Sequence, residues 1–254
     1  MNASKPAEAV RSVFPDCRSG SHYLIRVVQS GYAAAVDDGK VFLLRPGTAL
    51  LVLPGKSPRI ELLPEAVFLD FYFTAETAEL IRSSAPAFSG LPVRVFSAAA
   101  LEQIVHWFEE ISEVQRQGCR GHGLVALEKM LALERLLFQC GESPSAAESK
   151  IAVTLLFMAE NYSRDITLAD LAELIGLSIS HYRRCFRAAA GISPIDFLLN
   201  LRLFEAEKRL LETGLSVAEI AAETGFGDPN YFSRLFARRK GVPPREWRRT
   251  RLKK

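Results

Sequence analysis

Arginine side chains recur at matched positions in two similar segments near the C-terminal end of the chain. The first segment contains Arg183-Arg184 followed by Phe186, and the second contains Ser233-Arg234 followed by Phe236. A guanidinium group presents paired N–H donors that fit the O6 and N7 acceptors of guanine, or the oxygens of a phosphate. These residue types therefore indicate a surface that binds nucleic acid.

The two segments form an internal repeat. Gly176 recurs 49 residues later as Gly225, whereas the spacing is 50 residues for the arginine and the phenylalanine that follow, so one residue is inserted after the second glycine. Residues 168–191 are called copy one and residues 217–241 copy two. A repeat of this kind is one structural unit used twice.

Each copy has the pattern of a helix, a tight turn and a second helix. In copy one, apolar residues fall at helical spacing before Gly176, which suits a left-handed turn, and Ser178 is able to cap the next helix. An apolar stripe faces inward in each second helix and leaves polar side chains outward: Arg183, Arg184, Ser233 and Arg234. The pattern predicts two helix-turn-helix motifs that present arginine to the major groove of DNA.

Basic residues concentrate in the same part of the chain. Residues 1–149 carry 14 basic and 17 acidic side chains, whereas residues 150–254 carry 18 and 12. From Tyr231 to Lys254 there are ten basic residues and a single acid, Glu246. A helical bundle with solvated arginines is one explanation, and a phosphate-facing surface is the other. The tandem repeat together with the charge favours DNA binding.

The stretch from Gly225 to Phe236, with Gly241, Pro244 and Arg248 after it, resembles the signature of the AraC/XylS transcription regulators. Residues 200–211 resemble the connecting helix of that family. The resemblance implies a DNA-binding regulator, more often an activator than a repressor, with double-stranded promoter DNA and RNA polymerase as partners.

The same resemblance, which covers roughly residues 150–250, implies base-facing or groove-edge positions in both copies. These are Ser180, Arg183 and Arg184 in copy one, and Asn230, Ser233 and Arg234 in copy two. Arginine is the expected reader of guanine, and asparagine of adenine. The alternative is that these arginines only neutralise phosphates, which applies more strongly to Arg234.

The segment between the copies predicts one long helix. It begins at Pro194, a residue that suits the first turn of a helix, and runs to about Leu211. With a rise of about 1.5 Å per residue, this helix fixes the distance between the copies. We expect the two recognition helices to enter successive major-groove segments about 34 Å apart.

Short apolar runs separated by turns replace the helical pattern before residue 75. They predict six strands, which form a small barrel or sandwich. The runs are Tyr23–Val28, Tyr32–Val36, Val41–Leu44, Ala49–Leu53, Arg59–Leu63 and Val67–Phe73. Residues 1 to about 20 predict an irregular arm.

The segment from Leu44 to Gly55 resembles the cupin-like sensor domain of the same family. This implies a cupin-like β-barrel that binds a small-molecule effector. The candidate effector contacts are the polar residues in and beside the predicted strands: His22, Arg26, Tyr32, Arg45, Arg59 and Tyr72. A domain that docks a protein partner instead is an open alternative.

Two amphipathic helices are predicted after the strands, with apolar residues between Leu101 and Ile111 and between Leu124 and Phe138. Their apolar faces are expected to pack on the barrel. The resemblance implies a second use, which is pairing between the two subunits of a homodimer.

The sequence contains no pattern for a metal or cofactor site. The four cysteines lack metal-type spacing, and no His-x-His motif occurs. The only histidine in the strand region of the sequence is His22. We expect no metal, no cofactor and no enzymatic activity, against the alternative of a cupin-type enzyme with a DNA-binding tail. No signal peptide or membrane span is expected, and the cysteine usage fits the cytoplasm.

Together these patterns predict an α+β protein of two domains in 254 residues. Residues 1–140 are the expected cupin-like sensor and dimerisation domain, with two trailing helices after its β-barrel. Residues 150–254 are the expected all-α tandem helix-turn-helix domain. Residues 141–149 are small, polar and aperiodic, which predicts a linker.

Overall fold

The protein is described here by a computed structural model that divides into two compact units, residues 1–149 and 150–254. Strands occur in the first unit, and the described part of the second unit is helical. The residues that the structure describes are 10–13, 23–37, 39–52, 58–62, 66–73, 93–117, 122–139 and 145–251.

The strands of the first unit pair into two sheets. The larger sheet has the order β1-β7-β2-β5-β8, and the smaller sheet has the order β4-β3-β6. The bounds are β1 (Val10–Val13), β2 (Tyr23–Ser30), β3 (Ala33–Asp37), β4 (Lys40–Leu44), β5 (Thr48–Val52), β6 (Arg59–Leu62), β7 (Val67–Phe73) and β8 (Val93–Val95).

The prediction of a closed barrel is wrong for the described strands. The two sheets pack on each other through apolar side chains such as Val28 and Phe68 of the larger sheet and Ala35 and Phe42 of the smaller one. Among the described residues no hydrogen-bonded ladder joins the edges of the two sheets, so they form a sandwich. The cupin-like character of this unit stays a prediction.

The six predicted strands correspond to β2 through β7, and two further strands were missed. β1 lies in the predicted irregular arm and pairs in parallel with β7, placing Val10 opposite Phe68. β8 pairs antiparallel with β5. Both missed strands have only three or four residues, so their conformation is set by a partner distant in sequence.

Two helices, α1 (Ala98–Gln117) and α2 (His122–Gln139), follow the strands. Their apolar residues, including Ile104 and Met130, share one buried cluster with Ile25 and Leu69 of the larger sheet. In the same cluster the Phe71 and Phe108 rings pack edge to face, with their ring centres 5.4 Å apart. These helices therefore cover the face of the larger sheet that is turned away from the smaller sheet.

Seven helices make up the rest of the described chain. α3 begins at Ala146, after hydrogen bonds from the Glu148 N–H to Ser145 Oγ and from the Ser145 N–H to Glu148 Oε2. The helix thus includes residues that the sequence placed in the linker. The bounds are α3 (Ala146–Asn161), α4 (Leu168–Leu174), α5 (Ile179–Ala190), α6 (Pro194–Glu212), α7 (Val217–Glu223), α8 (Pro229–Lys240) and α9 (Pro244–Arg251).

Candidate nucleic-acid interface

The turn inside each copy has the same backbone geometry. Gly176 has a φ of +66° and Gly225 a φ of +82°, values in the left-handed region that favours glycine. In copy one the Leu177 N–H donates to the Ala172 oxygen at 2.9 Å, and the equivalent bond of copy two measures 2.8 Å. The local frame that leads into each second helix is therefore repeated.

The second helix of each copy has a capped N-terminus. Ser178 caps α5 by accepting from the His181 N–H, and Asp228 caps α8 by accepting from the Asn230 N–H. One additional residue lies between the turn glycine and the cap in copy two. This accounts for the inserted residue that the repeat spacing indicated.

In α5 the buried side chains are Tyr182, Phe186 and Ala190, which fixes the face that turns to solvent. The exposed side chains are Ile179, Ser180, His181, Arg183, Arg184, Arg187 and Ala188. In the part of the chain that the structure describes, no carboxylate lies within ion-pair distance of these arginines. Their donors are thus available to an external acceptor.

α8 of copy two has a similar inward stripe and a different outward face. Phe232, Leu235 and Phe236 are buried, and Asn230 and Arg234 are exposed. The α8 face therefore combines one guanidinium with one amide, two groups that are able to make bidentate hydrogen bonds to purines.

Ser233 is only half-exposed, and its hydroxyl donates to the Pro229 carbonyl oxygen at 2.9 Å. Its proton is used within its own helix, so only the lone pairs of the oxygen remain for DNA. The other five predicted contact residues point to solvent from α5 and α8. A role in DNA binding stays a prediction for all six.

Four exposed residues of α5 were absent from the predicted set, and one of them, Ala188, has no polar group. Ile179, which is 43% exposed, lies one turn before Arg183, and Arg187 lies one turn after it. His181 is exposed on the first turn of the same helix. The four-residue spacing of Ile179, Arg183 and Arg187 is the signal that would have identified them.

Some basic residues of the C-terminal stretch point inward rather than to a phosphate. Arg248 donates from Nε to the Leu210 oxygen at 3.0 Å and from Nη2 to the Leu215 oxygen at 2.6 Å. Lys240 forms an ion pair with Glu207 at 2.6 Å. These two side chains stabilise the fold, and the exposed basic residues in the described part of this stretch are Arg234, Arg238, Arg239, Arg245, Arg249 and Arg251.

Two predicted effector contacts meet around a buried carboxylate in the first unit. Arg26 donates to both oxygens of Asp70, at 2.7 and 2.6 Å, and the Tyr72 hydroxyl donates to the same carboxylate at 3.4 Å. The Arg26 guanidinium also lies 5.2 Å from the ring centre of Phe68. Since Phe68 belongs to the cluster between the sheets, this group lies on the inner face of the larger sheet.

The charge of Arg26 is maintained at this site. Burial acts to lower the pKa of Arg26, but the hydrogen bonds and the negative charge of Asp70 raise that pKa above its ordinary value. The Asp70 side chain has no exposed surface, so the ion pair compensates a buried charge.

Of the other predicted effector contacts, Arg45 binds a different carboxylate. Arg45 pairs with Glu148, another residue of the first unit, at 2.7 Å. Burial raises the pKa of the Tyr32 hydroxyl, and the charge of Arg45 opposes that shift. Arg59 is exposed on β6. His22 lies outside the described residues.

Within the described ranges, no group of three or more His, Cys, Asp or Glu side chains could hold a metal ion. A search of those same residues finds no helix long and apolar enough to cross a membrane.

Comparison with known proteins identifies the C-terminal part of the chain. Residues 171–250 match a family model described as a helix-turn-helix domain. The regulator YisR of Bacillus subtilis is 28% identical over 154 residues, or 61% of this chain and 51% of YisR. The activator RhaS of Pectobacterium carotovorum is 28% identical over 60% of this chain and 56% of RhaS. The chain thus spans about half the length of these two relatives.

A third relative, the regulator ExsA of Pseudomonas aeruginosa, is 24% identical over 81% of this chain and 76% of its own length. Among solved structures, the DNA-binding domain of AdpA in complex with a target DNA has 26% identity and a TM-score of 0.39, covering 40% of this chain and 91% of that domain.

The matched region contains both turns, both capped helices and the helix that joins them. All three relatives are named HTH-type transcriptional regulators or activators. Residues 171–250 of this chain are therefore a helix-turn-helix domain of the AraC type.

Proposed function

We propose that this chain binds double-stranded promoter DNA in a sequence-specific manner and regulates transcription, with α5 and α8 as its two recognition helices. The observation that carries the proposal is the duplicated, capped helix that buries one aromatic stripe and presents unpaired arginines: Arg183 and Arg184 on α5, and Arg234 on α8. A helix of this kind fits the major groove.

The phosphate contacts are supplied by the exposed basic residues near the C-terminus, which include Arg238, Arg239, Arg245 and Arg249. Each phosphate that is neutralised releases a counterion, so the logarithm of the affinity falls by about 0.9 per contact with the logarithm of the salt concentration. DNA binding by this protein should therefore weaken steeply as salt is raised.

The direct experiment is selection of binding sites from random duplex DNA with the full chain, followed by measurement of affinity over a range of salt concentrations. The expected result is one enriched consensus with two half-sites about one helical turn apart. Enrichment of no sequence, or an affinity that does not change with salt, would contradict the proposal.

We also propose that the first unit controls DNA binding in response to a small-molecule effector or a protein partner. The polar group formed by Arg26, Asp70 and Tyr72 supports the proposal, because it places hydrogen-bonding side chains beside the apolar cluster through which the two sheets pack. A thermal-shift screen against metabolites, run beside capture of partners from lysate, would separate the two controllers.

A matched variant sharpens that screen. Tyr72→Phe removes one hydroxyl and leaves the Arg26–Asp70 ion pair intact. An effector that contacts this group should shift the unfolding temperature of the wild-type protein more than that of Tyr72→Phe. Equal shifts would place the effector elsewhere.

The proposed regulator acts as a homodimer that activates RNA polymerase. Support for the dimer comes from α2, where Leu124 and Leu127 remain 74% and 37% exposed although the helix packs on the larger sheet. Sedimentation of the wild-type protein and of a Leu124→Glu variant tests this: a dimer that persists in the variant excludes this face. Transcription in vitro with and without the protein tests activation.

A further inference from the structure

Arg202 fixes the segment that leads into copy one to α6, the helix that joins the two copies. Arg202 of α6 donates from Nε to the Tyr162 carbonyl oxygen and from Nη2 to the Arg164 carbonyl oxygen, both at 2.7 Å. Hydrogen bonds from a charged, planar donor are strong and directional. The turn between α3 and α4 is therefore held in one position on α6.

A second arginine of α6 reaches the same tyrosine two helical turns later. Arg209 donates from Nη2 to the Tyr162 hydroxyl at 3.3 Å, and its Nη1 forms an ion pair with Glu223, the last residue of α7. Arg209 thus contacts both the entry to copy one and the first helix of copy two.

The turn glycine of copy two packs directly against these groups. A Cβ atom added at Gly225 would lie 2.7 Å from the Tyr162 carbonyl oxygen and 2.9 Å from Arg202 Nε. Backbone does not tolerate a contact of 2.7 Å, so only glycine lets the turn of copy two approach the entry to copy one this closely.

The equivalent glycine of copy one has no such neighbour. Gly176 also has a positive φ, but a Cβ atom added there would meet nothing within 4 Å. The two glycines share a turn conformation, and only Gly225 has a second role in a contact between the copies. The contact is therefore not a by-product of the repeated turn.

We propose that the junction formed by Tyr162, Arg202, Arg209, Glu223 and Gly225 sets the orientation of α8 relative to α5 and thereby determines which half-site spacing the protein accepts. Arg202 and Gly225 are then positioning residues, which act through the placement of the recognition helices. This inference rests on the DNA-binding function proposed above.

The physical reason lies in how two linked binding sites cooperate. Rigid linkage makes the second contact intramolecular and raises affinity by about 10²–10⁴ when the spacing fits, but this gain is lost when the geometry forbids simultaneous contact. Inserting one base pair moves a half-site by about 3.4 Å along the axis and rotates it about one tenth of a turn. A rigid junction penalises that change, and a loosened junction tolerates it.

The test uses the full chain and three DNA probes that carry the selected site, the same site with one base pair inserted between the half-sites, and a single half-site. Affinity for each probe is measured for wild type, Arg202→Lys, Gly225→Ala and the matched control Gly176→Ala. Lysine keeps the charge but lacks the fork that bridges two carbonyl oxygens. Both alanine variants carry the strain of a positive φ, and only Gly225→Ala also overlaps the junction.

For wild type and Gly176→Ala, the inserted base pair is expected to reduce affinity by about tenfold or more. For Arg202→Lys and Gly225→Ala the reduction should be less than about threefold, with weaker binding at the selected spacing and unchanged binding to the single half-site. Thermal unfolding confirms that each variant is folded. If Gly225→Ala does not fold, Arg202→Lys alone decides, because it introduces no overlap.

The inference is overturned if folded Arg202→Lys protein loses as much affinity on insertion as wild type does. The inference is also overturned if Gly176→Ala loses the preference for the selected half-site spacing to the same extent as Gly225→Ala. The strain of the turn would then be sufficient to explain the loss. Failure of wild type to bind any probe has a different meaning, because it removes the proposed DNA-binding function and this inference with it.

Discussion

Copy one and copy two share a backbone frame and differ in the chemistry placed on it. Both begin with a capping box, Thr167 with Asp170 in copy one and Ser216 with Glu219 in copy two. Both turn at a left-handed glycine and end the second helix at another. The repeat has therefore retained the residues that determine backbone conformation.

The interiors of the copies differ in polarity. In copy one the buried Tyr182 hydroxyl donates to Thr154 Oγ1 at 3.4 Å, and burial raises the pKa of this tyrosine. In copy two the equivalent residue is Phe232, which packs with Phe226 and Phe236 in an apolar cluster closed by Trp247. The two copies thus reach the same helix packing with different core chemistry.

The outward faces differ more. Copy one exposes Arg183, Arg184 and Arg187, whereas at the position equivalent to Arg183 copy two has Ser233, whose proton is used by its own helix. We infer that copy one discriminates between bases more strongly and that copy two contributes more through Arg234 and phosphate contacts. Four predictions test this comparison.

The largest effect is expected from core truncation. Phe236→Ala and Phe186→Ala each remove a fully buried ring and should lower the free energy of unfolding by about 3–5 kcal/mol. Urea denaturation of the full chain measures both. If the two copies unfold as one cooperative unit, each variant should lose DNA binding at the urea concentration at which the variant itself unfolds. Loss of structure in one copy alone would show that the copies fold independently.

At the interface, Arg183→Ala should weaken binding to the selected site by about 1–3 kcal/mol and flatten the preference at one base position. Ser233→Ala should change affinity little, because its hydroxyl proton already bonds to Pro229. Site selection with both variants measures the preference. An unchanged consensus for Arg183→Ala would show that this arginine does not read a base. An equal loss of affinity for all sequences would identify it as a phosphate contact.

A reciprocal exchange of one hydroxyl tests the difference in the cores. Phe232→Tyr places a hydroxyl in a fully buried apolar cluster and should cost about 1–3 kcal/mol of stability. Tyr182→Phe should cost less than about 1 kcal/mol, because the Thr154 hydroxyl still donates to the Ile151 oxygen. Thermal unfolding measures the stability of both variants. Equal losses of stability would mean that the two cores do not differ in how they accommodate a hydroxyl group.

The smallest effect is expected from acid titration of the capping boxes. Hydrogen bonds from Thr167 lower the pKa of Asp170, and hydrogen bonds from Ser216 lower that of Glu219. A lowered pKa means that each carboxylate stabilises the fold above its ordinary pKa, 3.8 for Asp170 and 4.5 for Glu219, and that this contribution is lost as the pH falls through the folded value.

The Asp170→Asn and Glu219→Gln variants should therefore unfold at a lower temperature than wild type at neutral pH and approach it in acid, to the same extent in both copies. Unfolding temperatures of the three proteins from about pH 7 to about pH 3 provide the measurement. A difference that persists at the acid end would show that the carboxylate charge is not the source of the stabilisation.

Features that depend on a few consecutive residues were readable from the sequence alone. Gly176, Gly225, Ser178 and Pro194 determine turns and helix starts through the conformations that their own side chains allow or exclude. Short apolar runs separated by turn residues likewise predicted β2 through β7, because both signals lie within a few consecutive residues. The repeat made the outward position of Arg183 and Arg234 predictable, because helical periodicity fixes which side chains share a face.

Contacts between distant segments decided the remaining features. In the sequence Gly225 and Gly176 have the same role as turn glycines, and only the approach of Tyr162 and Arg202 shows that Gly225 has a second one. Arg248 is one of many arginines in its stretch, and it points inward because the carbonyls of Leu210 and Leu215 lie within reach in the folded chain. A basic side chain offers the same hydrogen-bond donors to a carbonyl, a carboxylate or a phosphate. Its role therefore depends on which acceptor the tertiary structure places beside it.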